Sequence, residues 1–326
     1  MDAGERRAGF ENLVPGWRRS TRSVRGLASI LGNQTWRSDL AIRRRNQTWQ
    51  ARGGRHRAIR QPRIPAAGNA GRGLERMSVY FEELDFRPTP IGTLSLRRRR
   101  QLSTGADVYE IKLGDAFLMS SLFTAAEIEL ARLGLAALDP ATFARGELDV
   151  VVGGLGLGYT AQAVLEHDAA GSLIVVDALA EVIEWHEREL LPIGKQLNSD
   201  ERCRLVHGDF FAMTMSNEGY DPAAPGRRFD AVLVDIDHSP RNLLHPRHAA
   251  LYAPDGLARL AAHLHPGGVF ALWSNDPPDE AFMAALASGF EHAIAHVVTF
   301  PDAQGDGQAS NTVYTGIKPA QSQGDR

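Results

Sequence analysis

The chain has 326 residues, of which 43% are hydrophobic, and this length suffices for one large or two modest domains. Its single cysteine, Cys203, excludes an internal disulfide framework and any multi-cysteine metal site. No apolar run approaches the roughly 20 residues that span a bilayer, and no secretory signal pattern is present. These features predict a soluble, cytoplasmic protein with no membrane partner.

Residues 1–76 differ sharply in charge from the rest of the chain. They contain 17 Arg, no Lys and five acidic residues, a net charge of +12, which leaves −15 for residues 77–326. The segment lacks apolar periodicity, so we predict a disordered Arg-rich arm. It is open to interpretation as a nucleic-acid-binding arm, an organellar transit peptide, or sequence ahead of a natural start at Met77. We favour the last, because folded-type patterning begins at Met77, and we expect no nucleic-acid partner.

Residues 77–123 have the pattern of a small antiparallel β-sheet. Val79–Phe86 is one strand-like run, and Leu94 and Leu96 alternate with polar neighbours in a second. Tyr109–Leu113 alternates in the same way, after a turn predicted at 103–105. The segment is too short to fold independently.

Strands and helices alternate through residues 124–319. Thr124 and Glu127 have the spacing of a capping box, which predicts a helix from there to about Leu138. The predicted strands that follow are 149–153, 173–177, 204–207, 231–235 and 269–274. The alternation predicts an α/β fold, a doubly wound and mostly parallel Rossmann-like sheet with helices on both faces.

The last part of this domain breaks the alternation. Segments 293–300 and 312–317 are both strand-like and are joined by a polar loop without a helix. We therefore predict that the sheet ends in an antiparallel hairpin, as in class I methyltransferase-like folds. The polar tail, residues 320–326, is predicted to be mobile.

A glycine-rich turn follows the first predicted strand of the domain, at Gly153, Gly154, Gly156 and Gly158. Glycine lets the turn and the N-terminal amides of the next helix approach a ligand closely. The spacing Gly154-x-Gly156-x-Gly158 differs from the dinucleotide fingerprint G-x-G-x-x-G. It favours a nucleoside site of the S-adenosylmethionine type over a pyrophosphate site.

Aspartates end the next three predicted strands, at Asp177, Asp209 and Asp235. Ligands of open parallel sheets bind beyond the carboxyl ends of the strands, so we expect these side chains at one site. A carboxylate at Asp177 can accept both hydroxyls of a ribose, and Asp209 can accept from an adenine amino group. Asp235 is then the group beside the reaction centre.

The chain from Tyr80 to Lys318 resembles the spermidine synthases and related polyamine aminopropyltransferases. The resemblance includes the small N-terminal sheet and these segments: Val151–Gly158, Asp177 with Glu181–Ile183, Gly208-Asp209 and Phe229–Asp235. It implies aminopropyl transfer from decarboxylated S-adenosylmethionine to a small cationic amine, with Asp235 as the base. It also implies a homodimer.

Two positions depart from the family pattern. Gly156 stands where the family has an aspartate that recognises the amine of the donor, and the second aspartate, Asp237, is displaced by one position. We expect Asp237 to act beside Asp235 as a second anchor for the substrate.

Two alternatives to aminopropyl transfer remain. The first is a methyltransferase that uses S-adenosylmethionine, which the glycine at position 156 favours. The second is a nucleoside-binding protein of the same fold without turnover. We expect no metal ion, because the spacing of His238, His245 and His248 matches no strong metal site.

Overall fold

Two β-sheets organise the described part of the chain, which in this computed structural model comprises residues 80–89, 91–102, 104–143, 146–302 and 307–320. The predicted arm, 1–76, and residues 321–326 of the predicted tail lie outside the described residues, as does Ser103 of the predicted turn. No described helix is long and apolar enough to cross a membrane.

The smaller sheet is antiparallel, with its strands in chain order. Its strands are β1 (Phe81–Thr89), β2 (Gly92–Arg100), β3 (Asp107–Leu113) and β4 (Ala116–Ser120). The run of four arginines at the end of β2 is paired across the sheet with acidic side chains of β1 and β3. Leu94, Leu96 and Ile111 are fully buried and belong to the same core as the large sheet.

Strand β1 is also attached to a helix of the large domain. The buried indole Nε1 of Trp185 donates to a carboxylate oxygen of Asp85 at 2.7 Å. Beside it, the guanidinium of Arg87 makes two hydrogen bonds with the carboxylate of Glu184. The small sheet therefore contacts the large domain through both apolar packing and ion pairs.

The large sheet has seven strands in the order β10-β11-β9-β8-β5-β6-β7. The strands are β5 (Leu148–Gly153), β6 (Ala170–Asp177), β7 (Cys203–His207), β8 (Phe229–Val234), β9 (Leu264–Ser274), β10 (Glu291–Pro301) and β11 (Gln308–Ile317). Strands β5 to β9 pair in parallel, whereas β11 is antiparallel to both of its neighbours. The predicted fold class is confirmed, including the terminal hairpin.

Helices cover both faces of the large sheet. They are α1 (Ala125–Ala136), α2 (Pro140–Phe143), α3 (Tyr159–Leu165), α4 (Ala180–Glu187), α5 (Gly194–Ser199), α6 (Phe210–Met215), α7 (Pro254–Ala262) and α8 (Glu280–Ala287). Apolar residues of α1, α3, α4 and α5 pack with the small sheet in one core. Those of α6, α7 and α8 form a second core on the opposite face.

Two local interpretations from sequence are wrong. Helix α1 begins at Ala125 as expected, but Thr124 makes no side-chain capping bond and Glu127 is buried, with only 9% of its surface exposed. Strand β9 begins at Leu264, five residues before the predicted strand 269–274. Phe229 of β8 pairs with Leu264 of β9, and Ala231 pairs with Val269. The extra residues of β9 between these two pairs form a bulge.

Candidate functional site

The glycine turn between β5 and α3 has a backbone that requires glycine. Gly154, Gly156 and Gly158 have φ angles of +94°, +46° and +91°, in the left-handed region that other residues rarely adopt. A Cβ atom at Gly154 would lie 2.1 Å from the carbonyl oxygen of Asp235. The turn thus lies directly against the end of β8.

His186 of α4 contacts the glycine turn through its ring. Its ring is fully buried, and its Nε2 lies 2.9 Å from the carbonyl oxygen of Gly156. Burial lowers the pKa of His186, which favours a neutral ring that donates to this carbonyl from Nε2. The loop position is therefore fixed by the core beneath it.

Asp177 is in direct contact with the glycine turn. At the end of β6, one carboxylate oxygen accepts from the N–H of Leu155 at 2.8 Å, and the other accepts from the N–H of Leu179 at 2.8 Å. Burial raises the pKa of Asp177, and these backbone donors oppose that rise. Because a carboxylate has about four lone-pair sites, acceptor capacity remains for a ligand.

Asp209 lies at the end of the edge strand β7. Its side chain is exposed and accepts from the N–H of Ala212 at 3.1 Å, so it caps the N-terminus of α6. Within the described residues, no hydrogen bond joins it to the glycine turn.

Asp235 follows β8 and lies beside a second carboxylic acid. Its N–H donates to the carbonyl oxygen of Gly153 at 2.8 Å, and its carboxylate accepts from the hydroxyl of Thr160 in α3 at 2.8 Å. The neighbour is Glu127 of α1, whose carbonyl oxygen is 3.3 Å from the same hydroxyl. Sequence reasoning missed Glu127 because it assigned this residue to a capping box.

Burial controls the ionisation of this carboxyl pair. It raises the pKa of Asp235, an effect that the Thr160 hydroxyl opposes. It also raises the pKa of Glu127, which the charge of Asp235 raises further. Within the described residues, no Lys, Arg or His forms an ion pair with either group. Two like charges held together out of water favour sharing of a proton.

Trp273 lies on β9, the strand that pairs with β8 just before Asp235. Leu272 pairs with Val234, so Trp273 and Asp235 follow at adjacent strand ends. Its indole Nε1 is buried and has no hydrogen-bond partner in the part of the chain that the structure describes. This buried donor therefore lies on β9 at the register position next to Asp235.

Asp237 has different surroundings from Asp235. It is 1% exposed, and its carboxylate accepts from the N–H of Leu244 at 2.7 Å and from the hydroxyl of Tyr252 at 2.8 Å. The ring Nδ1 of His248 lies 2.8 Å from it, and this ring stacks on Phe211. These partners lie on the face covered by α6 and α7, whereas Thr160 and Glu127 lie on the opposite face. Asp235 and Asp237 therefore share no hydrogen-bonding neighbour among the described residues.

A polar cavity of about 390 Å³ opens beyond the ends of β8 and β9. It is lined by Ser239, Pro240, Arg241, Ser274, Asp276, Pro277, Pro278, Asp279 and Glu280. Ser239 donates to Asp276 at 2.5 Å, and Arg241 pairs with Asp279. Across the described residues, no group of three or more His, Cys, Asp or Glu side chains converges as a metal site would require.

The strand order, the terminal hairpin and the glycine turn define the fold of class I S-adenosylmethionine-dependent methyltransferases. With its additional N-terminal sheet, the fold is spermidine synthase-like. A spermidine synthase in complex with the transition-state analogue AdoDATO is 16% identical, with a TM-score of 0.56 over 73% of this chain and 74% of that one. Spermidine synthase from Thermotoga maritima is also 16% identical, with a TM-score of 0.54 over the same shares.

A third structure, human methyltransferase-like protein 13 in complex with SAH, is 19% identical over 61% of this chain and 84% of that one. Its TM-score of 0.44 is too low to add to the comparison. No family model matches the chain. At these identities the likeness shows the fold, so the predicted resemblance is confirmed at the level of fold. The roles of Gly153, Gly154, Gly156, Gly158, Asp177, Asp209, Asp235 and Asp237 stay predictions.

Proposed function

We propose that this chain is a transferase that uses a sulfonium nucleoside of the S-adenosylmethionine class as its co-substrate, with Asp235 as the base. The observation that carries the proposal is the Asp177 carboxylate, which the N–H of Leu155 holds against the left-handed glycine turn. A carboxylate held beside the glycine turn in this way supports the binding of sugar hydroxyls at this edge of the sheet. The adenine amino group then extends toward the exposed Asp209.

The chemistry requires mainly alignment. The nucleophile attacks a carbon attached to the sulfonium, the carbon–sulfur bond breaks, and its electron pair stays on the neutral thioether. An amine nucleophile must lose one proton, which passes to the ionised carboxylate of Asp235. Its raised pKa makes Asp235 a stronger base than an exposed aspartate, and Thr160 keeps the ionised form accessible.

Aminopropyl transfer from decarboxylated S-adenosylmethionine to a small cationic amine is the first candidate reaction. The N-terminal sheet supports it, because the sheet is part of the fold shared with the two spermidine synthases. The net charge of −15 in residues 77–326 also favours a cationic substrate. The proposal includes a homodimer in the cytoplasm and a place in polyamine biosynthesis.

Methyl transfer from S-adenosylmethionine is the second candidate. Gly156 favours it, since no carboxylate at this position can recognise the amine of a decarboxylated donor. The two reactions leave different thioethers, methylthioadenosine after aminopropyl transfer and S-adenosylhomocysteine after methyl transfer.

The test is to incubate the full chain with each sulfonium donor and a panel of amines, and to identify the thioether by mass spectrometry. We expect methylthioadenosine. S-Adenosylhomocysteine would support the second candidate, and binding without either thioether would contradict transfer and leave a nucleoside-binding protein. Absence of nucleoside binding would contradict the proposal as a whole.

A binding measurement tests the ribose assignment separately. Asp177→Asn should weaken nucleoside binding by about 100-fold, because charge-assisted hydrogen bonds to two hydroxyls are lost. The matched control is Asp255→Asn, at an exposed aspartate of α7 outside the site. Equal affinities of the two variants in calorimetric titration would reject the role of Asp177.

A further inference from the structure

A methionine of the small sheet lies on the glycine turn. Met119 is in β4, and the backbone N–H of Leu157 donates to its Sδ atom at 3.0 Å. A Cβ atom at Gly156 would lie only 2.4 Å from this Sδ and 2.6 Å from the Met119 Cε. The thioether therefore fills the space that a side chain at position 156 would need.

This contact gives a physical reason for glycine at position 156. A longer side chain there would have to displace Met119, in addition to adopting a φ of +46°. The space at this position contains a thioether in place of a carboxylate. Sulfur of this kind is apolar and only a weak acceptor, so it offers nothing that matches an ammonium or a carboxylate.

The same contact also occupies a backbone donor of the turn. Asp177, the proposed ribose acceptor, is bonded to Leu155, so a 5′ substituent that follows the glycine turn would meet Leu155–Leu157. The N–H of Leu157 is the donor that a substituent with a carboxylate would use there, and Met119 covers it. A short apolar substituent has no need of this donor.

We propose that Met119 determines which 5′ substituent the nucleoside site accepts. With Met119 on the turn, the site takes an adenosine 5′-thioether with a short apolar substituent, and the longer charged substituent of either proposed donor enters by displacing Met119 from the turn. This inference rests on the proposed function, since it requires a nucleoside at the glycine turn. The three rotatable bonds of methionine allow such a displacement at modest cost.

Calorimetric titration of the full chain tests the inference. The probes are methylthioadenosine, which has a methyl substituent, and S-adenosylhomocysteine, which has a charged one. For Met119→Ala we expect a gain of about tenfold in affinity for S-adenosylhomocysteine and a change of less than about threefold for methylthioadenosine. Phe117→Ala, at an exposed position of the same strand, is the matched control and should leave both affinities unchanged.

Two negative outcomes are distinguishable. If methylthioadenosine binds but Met119→Ala changes both affinities equally or not at all, Met119 does not select the substituent and the proposed function stands. If neither nucleoside binds the natural chain or the variant, the proposed function fails and this inference fails with it.

A double-mutant cycle gives a readout that does not depend on ligand. Gly156→Asp should lower the melting temperature in the natural background by more than in the Met119→Ala background, because removal of the thioether provides the space. Aspartate tolerates a positive φ better than most residues do. An equal loss in the two backgrounds would show that Met119 does not exclude a side chain at position 156.

Discussion

The two aspartates that follow β8 lie two residues apart in sequence and have opposite surroundings. Asp237 accepts from the Leu244 N–H and the Tyr252 hydroxyl and contacts His248. Asp235 accepts from a single hydroxyl, that of Thr160, and its other neighbour is a buried acid. The comparison separates a carboxylate that is fully engaged with neighbouring donors from one whose hydrogen-bond donor is a single hydroxyl.

The largest effect should come from Asp235→Asn. The amide keeps the shape of the side chain but cannot act as a base, so turnover should fall by about 100- to 10,000-fold while nucleoside affinity changes little. Initial rates with the accepted donor and amine measure the loss, and calorimetry measures the affinity. Natural rates in this variant would show that Asp235 is not the base.

Asp237→Ala should affect stability instead. The change leaves a buried tyrosine hydroxyl, a backbone N–H and a histidine without their common acceptor, so the free energy of unfolding should fall by about 3 kcal/mol. Denaturant unfolding measures it, with Asp255→Ala as the control at an exposed aspartate. A loss no greater than that of the control would mean that Asp237 does not hold this segment.

Glu127→Gln should change how stability depends on pH. The folded state raises the pKa of Glu127 above its ordinary value of 4.5, so it binds more protons than the unfolded chain once the pH exceeds that value. The free energy of unfolding of the natural protein therefore falls as the pH rises above 4.5. The variant has no ionisable group at this position and does not show this decrease. The difference should grow with pH by at most about 1.4 kcal/mol per unit, as measured by denaturant unfolding between pH 5 and pH 8. Parallel profiles would contradict the burial of an ionisable group at this position.

The smallest effect is expected for Thr160→Val. Loss of the hydroxyl removes the donor that favours ionised Asp235, so the pKa of Asp235 should rise by on the order of one unit. Because the base must be ionised, the acidic limb of the rate profile should move to higher pH by the same amount. Thr160→Ser keeps the hydroxyl and should leave the limb in place, so a shift common to both variants would exclude the hydrogen bond as its cause.

The sequence predicted the fold and the glycine turn well, because these depend on local patterns. β-Branched runs that alternate with amphipathic segments identified the parallel strands, and the absence of a helix between β10 and β11 identified the hairpin. The position of Asp177 could also be predicted from the sequence, since this residue ends the strand that pairs with β5. These features follow from composition and spacing along a short stretch of chain.

The remaining features depend on contacts between distant segments. Glu127 matches a capping box locally, but α1 packs over the end of β8 and buries it beside Asp235. The strand period would place Asp235 and Asp237 on one face, yet β8 ends at Val234 and the backbone turns between them. Met119 had no sequence signal, because only the folded chain brings β4 to the glycine turn.

The hydrogen bond between β1 and α4 links the small sheet to the large domain. Without Asp85, the indole of Trp185 would have a donor deep inside the protein and no acceptor for it. A chain shortened to begin at α1 would therefore carry an energetic defect at the helix that follows Asp177. The N-terminal sheet is for this reason an integral part of the large domain rather than a detachable module, and its removal should disturb the helix next to Asp177, although Asp85 and Trp185 are 100 residues apart in sequence.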